Sequence, residues 1–178
     1  MKKVIIILII LLIGLFTRCV KKENPLPTEL PPITESGENT FGCLIEDEIF
    51  VPDIRRIVCC EAQAIPIVFD FPKYPEYFFR ISAVRKVNKN DNAKDAEVVL
   101  MVDSIFQGGS FSLFYATVKY ENVYYYTDSI DNGTIEILKL DSINNIISGL
   151  FYFQAIDKNN TNSKIINIIN GRFDLKLK

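Results

Sequence analysis

The chain has 178 residues, 48% of them hydrophobic and 24% charged, which is globular composition and enough chain for one domain. Its net charge of −2 offers no basic footprint for nucleic acid or for anionic lipid headgroups. It has no histidine. That excludes Ser-His and Cys-His nucleophile pairs and imidazole zinc sites, and leaves acid–base work to carboxylates, Lys, Tyr or Cys.

The first elements read as export signals. Lys2-Lys3 precedes residues 4–16, an unbroken run that is apolar apart from Gly14. At about 1.5 Å per residue this run covers about 20 Å, short of the roughly 30 Å hydrocarbon core, so it fits a secretory h-region and not a spanning helix. Cys19 stands where the run ends, an arrangement similar to a lipoprotein signal in which the cysteine is acylated and becomes the mature N-terminus. Arg18 stands where such signals prefer a small residue, which leaves an uncleaved signal anchor and ordinary secretion as alternatives. Cleavage would remove Lys2, Lys3 and Arg18 and no acid, leaving 17 basic against 22 acidic residues, a net of −5. Residues 1–18 are therefore expected to be a signal peptide. Residues 19–40, with Pro25, Pro27, Pro31 and Pro32 among Thr, Glu and Ser, are expected to be a lipid-bearing, extended tether. A single domain is expected over 41–178.

From Phe41 onward the pattern is period-two alternation rich in β-branched and aromatic residues. A hairpin is expected from residues 41–45 and 49–51 about a three-residue acidic loop, Glu46-Asp47-Glu48. Strands follow at 57–64, 65–71, 77–87, 96–105, 110–120 and 123–128. The clearest come last: 134–141 and 146–157 joined through a turn at 142–145, then 172–178. Ser148-Gly149 suggests a bulge. About nine or ten short strands imply an all-β domain, either an antiparallel β-sandwich or a lipocalin-like barrel.

The stretch LPPITESGENTFGCLIEDEIFVP at 30–52 resembles a signature of uncharacterised lipoproteins of Bacteroidota, approximately LPPxTxxGxNTFGC followed by a short hairpin. The C-terminal pieces GTIEI at 133–137, SGLFYF at 148–153 and GRFD at 171–174 fit the same group. The resemblance implies a β-rich, lipid-anchored protein of the bacterial cell envelope, on the periplasmic or the surface face of the outer membrane. It brings no catalytic residues.

Candidate chemistry is sparse. Cys43, on the expected inward face, pairs best with Cys60 in a disulfide closing a loop of about 16 residues; three reduced core cysteines are the alternative. No CxxC spacing supports a metal or redox site. Tyr124-Tyr125-Tyr126 and the group Tyr74, Tyr77, Phe78, Phe79 could stack on sugar rings, although core or edge packing explains them better. Glu46, Asp47, Glu48, Asp128 and Asp131 fall in expected turns, where solvation explains them better than a glycosidase pair. Asn88, Asn90 and Asn92 have calcium-loop spacing, but Ala93 and Val99 occupy the glycine and acid positions of an EF-hand. No cofactor or enzymatic activity is expected. The residues suggest a non-enzymatic binding domain for an envelope protein or glycan, or alternatively a carrier of small apolar ligands in a barrel cavity.

The anchor is directly testable. Cys19→Ala should move the protein from the detergent phase to the aqueous phase in detergent partitioning, since acyl chains supply the membrane affinity; unchanged partitioning removes the lipid-anchor reading.

Overall fold

The computed structural model describes residues 25–54, 67–70, 79–87, 93–102, 109–112, 115–127, 133–157 and 164–176. The expected signal peptide, Cys19, the strand at 57–64 with Cys59 and Cys60, Asp128 and Asp131 lie outside them. Within the described residues the structure is all-strand: twelve strands hydrogen-bond into one sheet that curls into a nearly closed barrel.

Strands β1 (Thr40–Ile45) and β2 (Glu48–Phe50) form the expected hairpin. Ile45 pairs with Glu48, so the loop has two residues and Glu48 belongs to a strand, which corrects the three-residue loop. Glu46 takes φ 54°, and a left-handed residue in a two-residue turn matches the twist of the flanking strands. Pro52 has no N–H to continue the ladder. Immediately after it, β3 (Asp53–Ile54) pairs in parallel with β5 (Phe79–Lys86).

That step closes the barrel. β2 is one end of the sheet order and β3 the other. Three residues separate Phe50 from Asp53, so the two edges lie no more than about 10 Å apart.

A meander runs from β5 through β6 (Ala96–Val102) and β8 (Tyr115–Tyr120) to β9 (Val123–Tyr126), with β4 (Ile67–Asp70) also antiparallel to β5. Glu121 and Asn122 both have positive φ, which a tight turn between β8 and β9 requires. The segment 110–120, read from sequence as one strand, is two. β7 (Gly109–Ser112) pairs with β10 (Thr134–Asp141), whereas β8 pairs with β6 and β9. The chain crosses from one wall to the other between them.

β10, β11 (Ile146–Ile156), β12 (Ile165–Lys176) and β1 form the second wall, and Ile156 of β11 reaches Tyr126 of β9. The bulge foreseen at Ser148-Gly149 falls on the partner strand: Ile137 faces Gly149 and Lys139 faces Ser148, so Leu138 is the extra residue. A second bulge lies in β12, where the registers with β1 and β11 both slip by one residue around Asn170, which takes φ 53°. Before it Ile166 and Ile168 are buried; after it the buried set is Gly171, Phe173 and Leu175. The alternation changes parity, which explains why only the end of this strand was legible.

Inward side chains of every wall meet in one cluster that includes Phe41, Phe79, Leu100, Val118, Ile135 and Phe153. Phe151 lies with its ring centroid 5.2 Å from Phe41 and 6.4 Å from Phe173. Its ring fills the space above Gly171, where a Cβ would sit 2.5 Å from it. The interior among the described residues is side-chain filled.

The second half of the expected tether is not free. Pro31 lies on Gly42, so closely that a Cβ there would be 2.6 Å from the proline ring. Asp174, facing outward yet 1% exposed, accepts hydrogen bonds from the Thr34 hydroxyl (2.7 Å) and the backbone N–H groups of Ser36 (3.1 Å), Gly37 (2.8 Å) and Glu38 (3.1 Å). Asn39 Oδ1 accepts from the N–H of Lys176, and Lys139 donates to the carbonyl of Glu35. Residues 30–39 thus form a strap across the outer face of β1, β12 and β11.

The buried position of Asp174 raises its pKa, but the four donors outweigh this and hold the carboxyl below its ordinary value. A depressed folded pKa gives stability that is present above the unfolded value near 4 and lost as pH falls through the folded one. Asp174→Asn offers one acceptor oxygen to donors that used two. It should cost about 2 kcal/mol at neutral pH and flatten the loss of stability below pH 4, read by urea unfolding across pH; an unchanged acid limb would show the strap does not depend on this carboxylate.

Candidate functional site: a groove over the β12 bulge

Two polar constellations and one aromatic row stand out. The first is internal. Arg85 lies in register with the inward residues Ile81 and Ala83 on β5 and is 3% exposed. Its Nη2 is 2.5 Å from Glu48, its Nη1 donates to the Ile49 carbonyl at 2.6 Å, and its Nε donates to the Lys94 carbonyl at 2.8 Å. Tyr120, also inward, donates to the other Glu48 oxygen at 2.6 Å. Burial, then this bond, pushes the Tyr120 hydroxyl up to about 12. Every member is satisfied, and Arg85 bonds a carbonyl on β2, at the edge that β5 must meet to close the barrel. The cluster is a structural clasp.

Arg85→Ala should therefore lower stability by about 3–5 kcal/mol, because Glu48 is left partly buried without its cation, and the pair Arg85→Met/Glu48→Leu should recover part of that loss. Urea unfolding of the three proteins decides it, and a single-variant cost under about 1 kcal/mol would contradict the clasp.

Cys43 faces the same interior and is fully buried with a free thiol. Burial pushes its pKa well above the usual thiol range, with Arg85 offsetting only a little. Cys60, its expected partner, lies outside the described residues.

The aromatic row is external. Tyr125 points into the core, as alternation required, while Tyr124 and Tyr126 share the outer face with Tyr115. The Lys119 amine lies 5.1 Å from the Tyr124 ring centroid and covers one of its faces. Phe79 is core, and Tyr74, Tyr77 and Phe78 lie outside the described residues. Among the carboxylates, Glu46 accepts from the Asn167 N–H on the outside and Glu48 is held by Arg85 within, so the fold does not turn them toward one another.

The third feature is a groove of about 550 Å³ on the outer face of β10–β12. Its floor is Leu150, flanked in the cross-strand row by Glu136 on one side and Arg172 on the other, with Ser110 of β7 beside Glu136. Tyr152, 59% exposed, stands over the floor beside Thr134, and the β12 bulge contributes Ile169 and Asn170 as consecutive outward residues. The strap supplies a wall through Ile33, 54% exposed. Arg172 is steered by bonds from Nε to the Asn170 carbonyl (3.3 Å) and from Nη1 to the Pro31 carbonyl (3.4 Å).

What distinguishes this groove is unspent chemistry. Among the described residues Arg172 has no carboxylate partner, Glu136 has no donor or cation, and Tyr152 makes no ring contact or hydrogen bond. Glu136 and Arg172 are two strands apart, about 10 Å. The result is a concave surface with an apolar floor between two opposite charges that no ion pair among the described residues compensates.

Sequence reasoning did not single out Tyr152, Glu136 or Arg172. A signal existed for Tyr152, which sits in the outward phase between the inward Phe151 and Phe153, and for Arg172, which alternates with the inward Phe173 at the start of the expected strand 172–178.

No family model, curated protein or solved structure matches this chain.

Proposed function

We propose that this chain is a lipid-anchored module of the bacterial envelope that binds a partner, a protein or a glycan, through the groove over the β12 bulge. The observation that carries this reading is the convergence on one concave face of Tyr152, Glu136 and Arg172, of which the first two are unpartnered and the third bonds only neutral carbonyls among the described residues. The alternative of an apolar carrier calls for a hollow barrel. The described interior is instead occupied by Phe41, Phe50, Phe79 and Phe153, each at most 2% exposed, so the outer face is the better place to look.

The anchor sets the geometry of such binding. Ile33 lies fourteen residues beyond Cys19, a distance that extended chain spans in about 43 Å. A partner would therefore be met close to the bilayer that holds the lipid.

Replacing Tyr152 with a photo-crosslinking phenylalanine analogue in the producing bacterium tests the reading. Irradiation should give a discrete adduct from position 152 and none from Ile143, which is 90% exposed on the 142–145 turn and remote from the groove floor in register. Absence of an adduct at 152, or equal labelling at both positions, would count against the groove as a binding surface.

A further inference from the structure

The groove's chemistry narrows its ligand, given the binding reading above. We propose that it takes a short oligosaccharide bearing an anionic group, seated with its acid toward Arg172 and with hydroxyl or amide donors toward Glu136.

Three observations converge. Tyr152 offers an exposed ring above an apolar floor, which suits the C–H face of a pyranose; aromatic side chains with a polar tip serve surfaces that are apolar on one side and wet on the other. The rim is hydroxyl, amide, carboxylate and guanidinium: Ser110, Thr134, Asn170, Glu136 and Arg172. Such a set satisfies a ring of sugar hydroxyls, whereas an apolar peptide would leave these groups unpaired at a cost of about 1–3 kcal/mol each where they are desolvated.

Charge supplies the polarity. The Arg172 guanidinium bonds only neutral carbonyls, so its charge is open to an anion, and bidentate recognition of carboxylate or sulfate is what this side chain does well. Glu136, about 10 Å away across Leu150, repels an anion and accepts from donors. The groove thus fixes the direction of an acidic chain lying across the strands. An occupant so placed cannot add a strand, since the β11 and β12 backbones beneath it are already paired with each other.

Calorimetry on the full chain in detergent tests this with three probes: tetragalacturonate, a chondroitin sulfate tetrasaccharide and neutral maltotetraose. The wild type should bind at least one acidic probe with saturation, at least tenfold more tightly than maltotetraose, and lose that margin as salt rises. Carboxylate and sulfate arms then tell which anion the groove prefers. Arg172→Gln should abolish the margin. Because Arg172 also bonds the strap, Glu136→Gln serves as the second variant: it breaks no bond among the described residues and should tighten the acidic probe several-fold. Tyr152→Ala should weaken binding of the acidic probe at least tenfold. Failure of every probe to bind folded wild type, equal binding of acidic and neutral probes, or indifference to Tyr152→Ala overturns the proposal. A photo-adduct at position 152 that is a protein without glycan would overturn it too, while leaving the binding-module reading intact.

Discussion

The register slip at Asn170 is the constraint on which the rest of the outer face depends. An extra residue in the left-handed conformation re-phases β12, so a single twelve-residue strand can bury Ile166 and Ile168 before the slip and Phe173 and Leu175 after it. Asparagine tolerates the positive φ that a β-branched residue would resist. The glycine that follows then faces inward, beneath the Phe151 ring. Without the slip, Asp174 and Arg172 would point into an aromatic core. With it, Asp174 meets the strap and Arg172 meets solvent at the groove.

Those consequences draw the two ends of the domain together. The N-terminal stretch contributes Pro31, Thr34, Gly37 and Asn39, and the C-terminal stretch contributes Arg172, Asp174 and Lys176; each set is the other's hydrogen-bonding partner. The two stretches are thus two halves of one strap-and-strand joint. Closure at the opposite side of the barrel uses different chemistry. There a short parallel pair leaves the seam under-bonded, and Arg85 supplies donors to Ile49 and Glu48 that a longer ladder would have supplied from backbone.

Legibility from sequence followed the physics of alternation. Strands with an uninterrupted parity, such as β5 and β11, announced themselves, and so did the turn at 142–145 through its polar residues. The first half of β12 did not, because IINIIN contains apolar residues on both faces before the slip. The division between β7 and β8 was missed although the inward phase changes across it, from position 111, opposite the buried Ile135, to Ala116 and Val118, because both pieces are β-like in composition while the pairing partner changes from β10 to β6. Glu48 reads as a loop acid until its partner Arg85 is known, and the two are 37 residues apart. The strap was misjudged for a related reason. Pro, Thr, Ser and Glu bury little on their own, yet a single outward carboxylate with four donors to satisfy makes ordering that segment worthwhile.

The same geometry explains why the candidate site is on the outside. Among the described residues Phe41, Phe50, Phe79 and Phe153 fill inward positions, so the side chains open to a partner there are those left over from packing on the outer face. Alternation leaves such residues everywhere on the outer face, but most are spent: Lys119 covers Tyr124, Gln154 donates to Asn167, and Lys139 holds the strap. Among the described residues, the surface becomes concave with its charges unpaired where the bulge presents consecutive outward residues and the strap rises beside them as a wall. The strap that forms that wall is pinned by Asp174 of the same strand that carries the bulge, so one strand both shapes the groove and holds the segment that completes it.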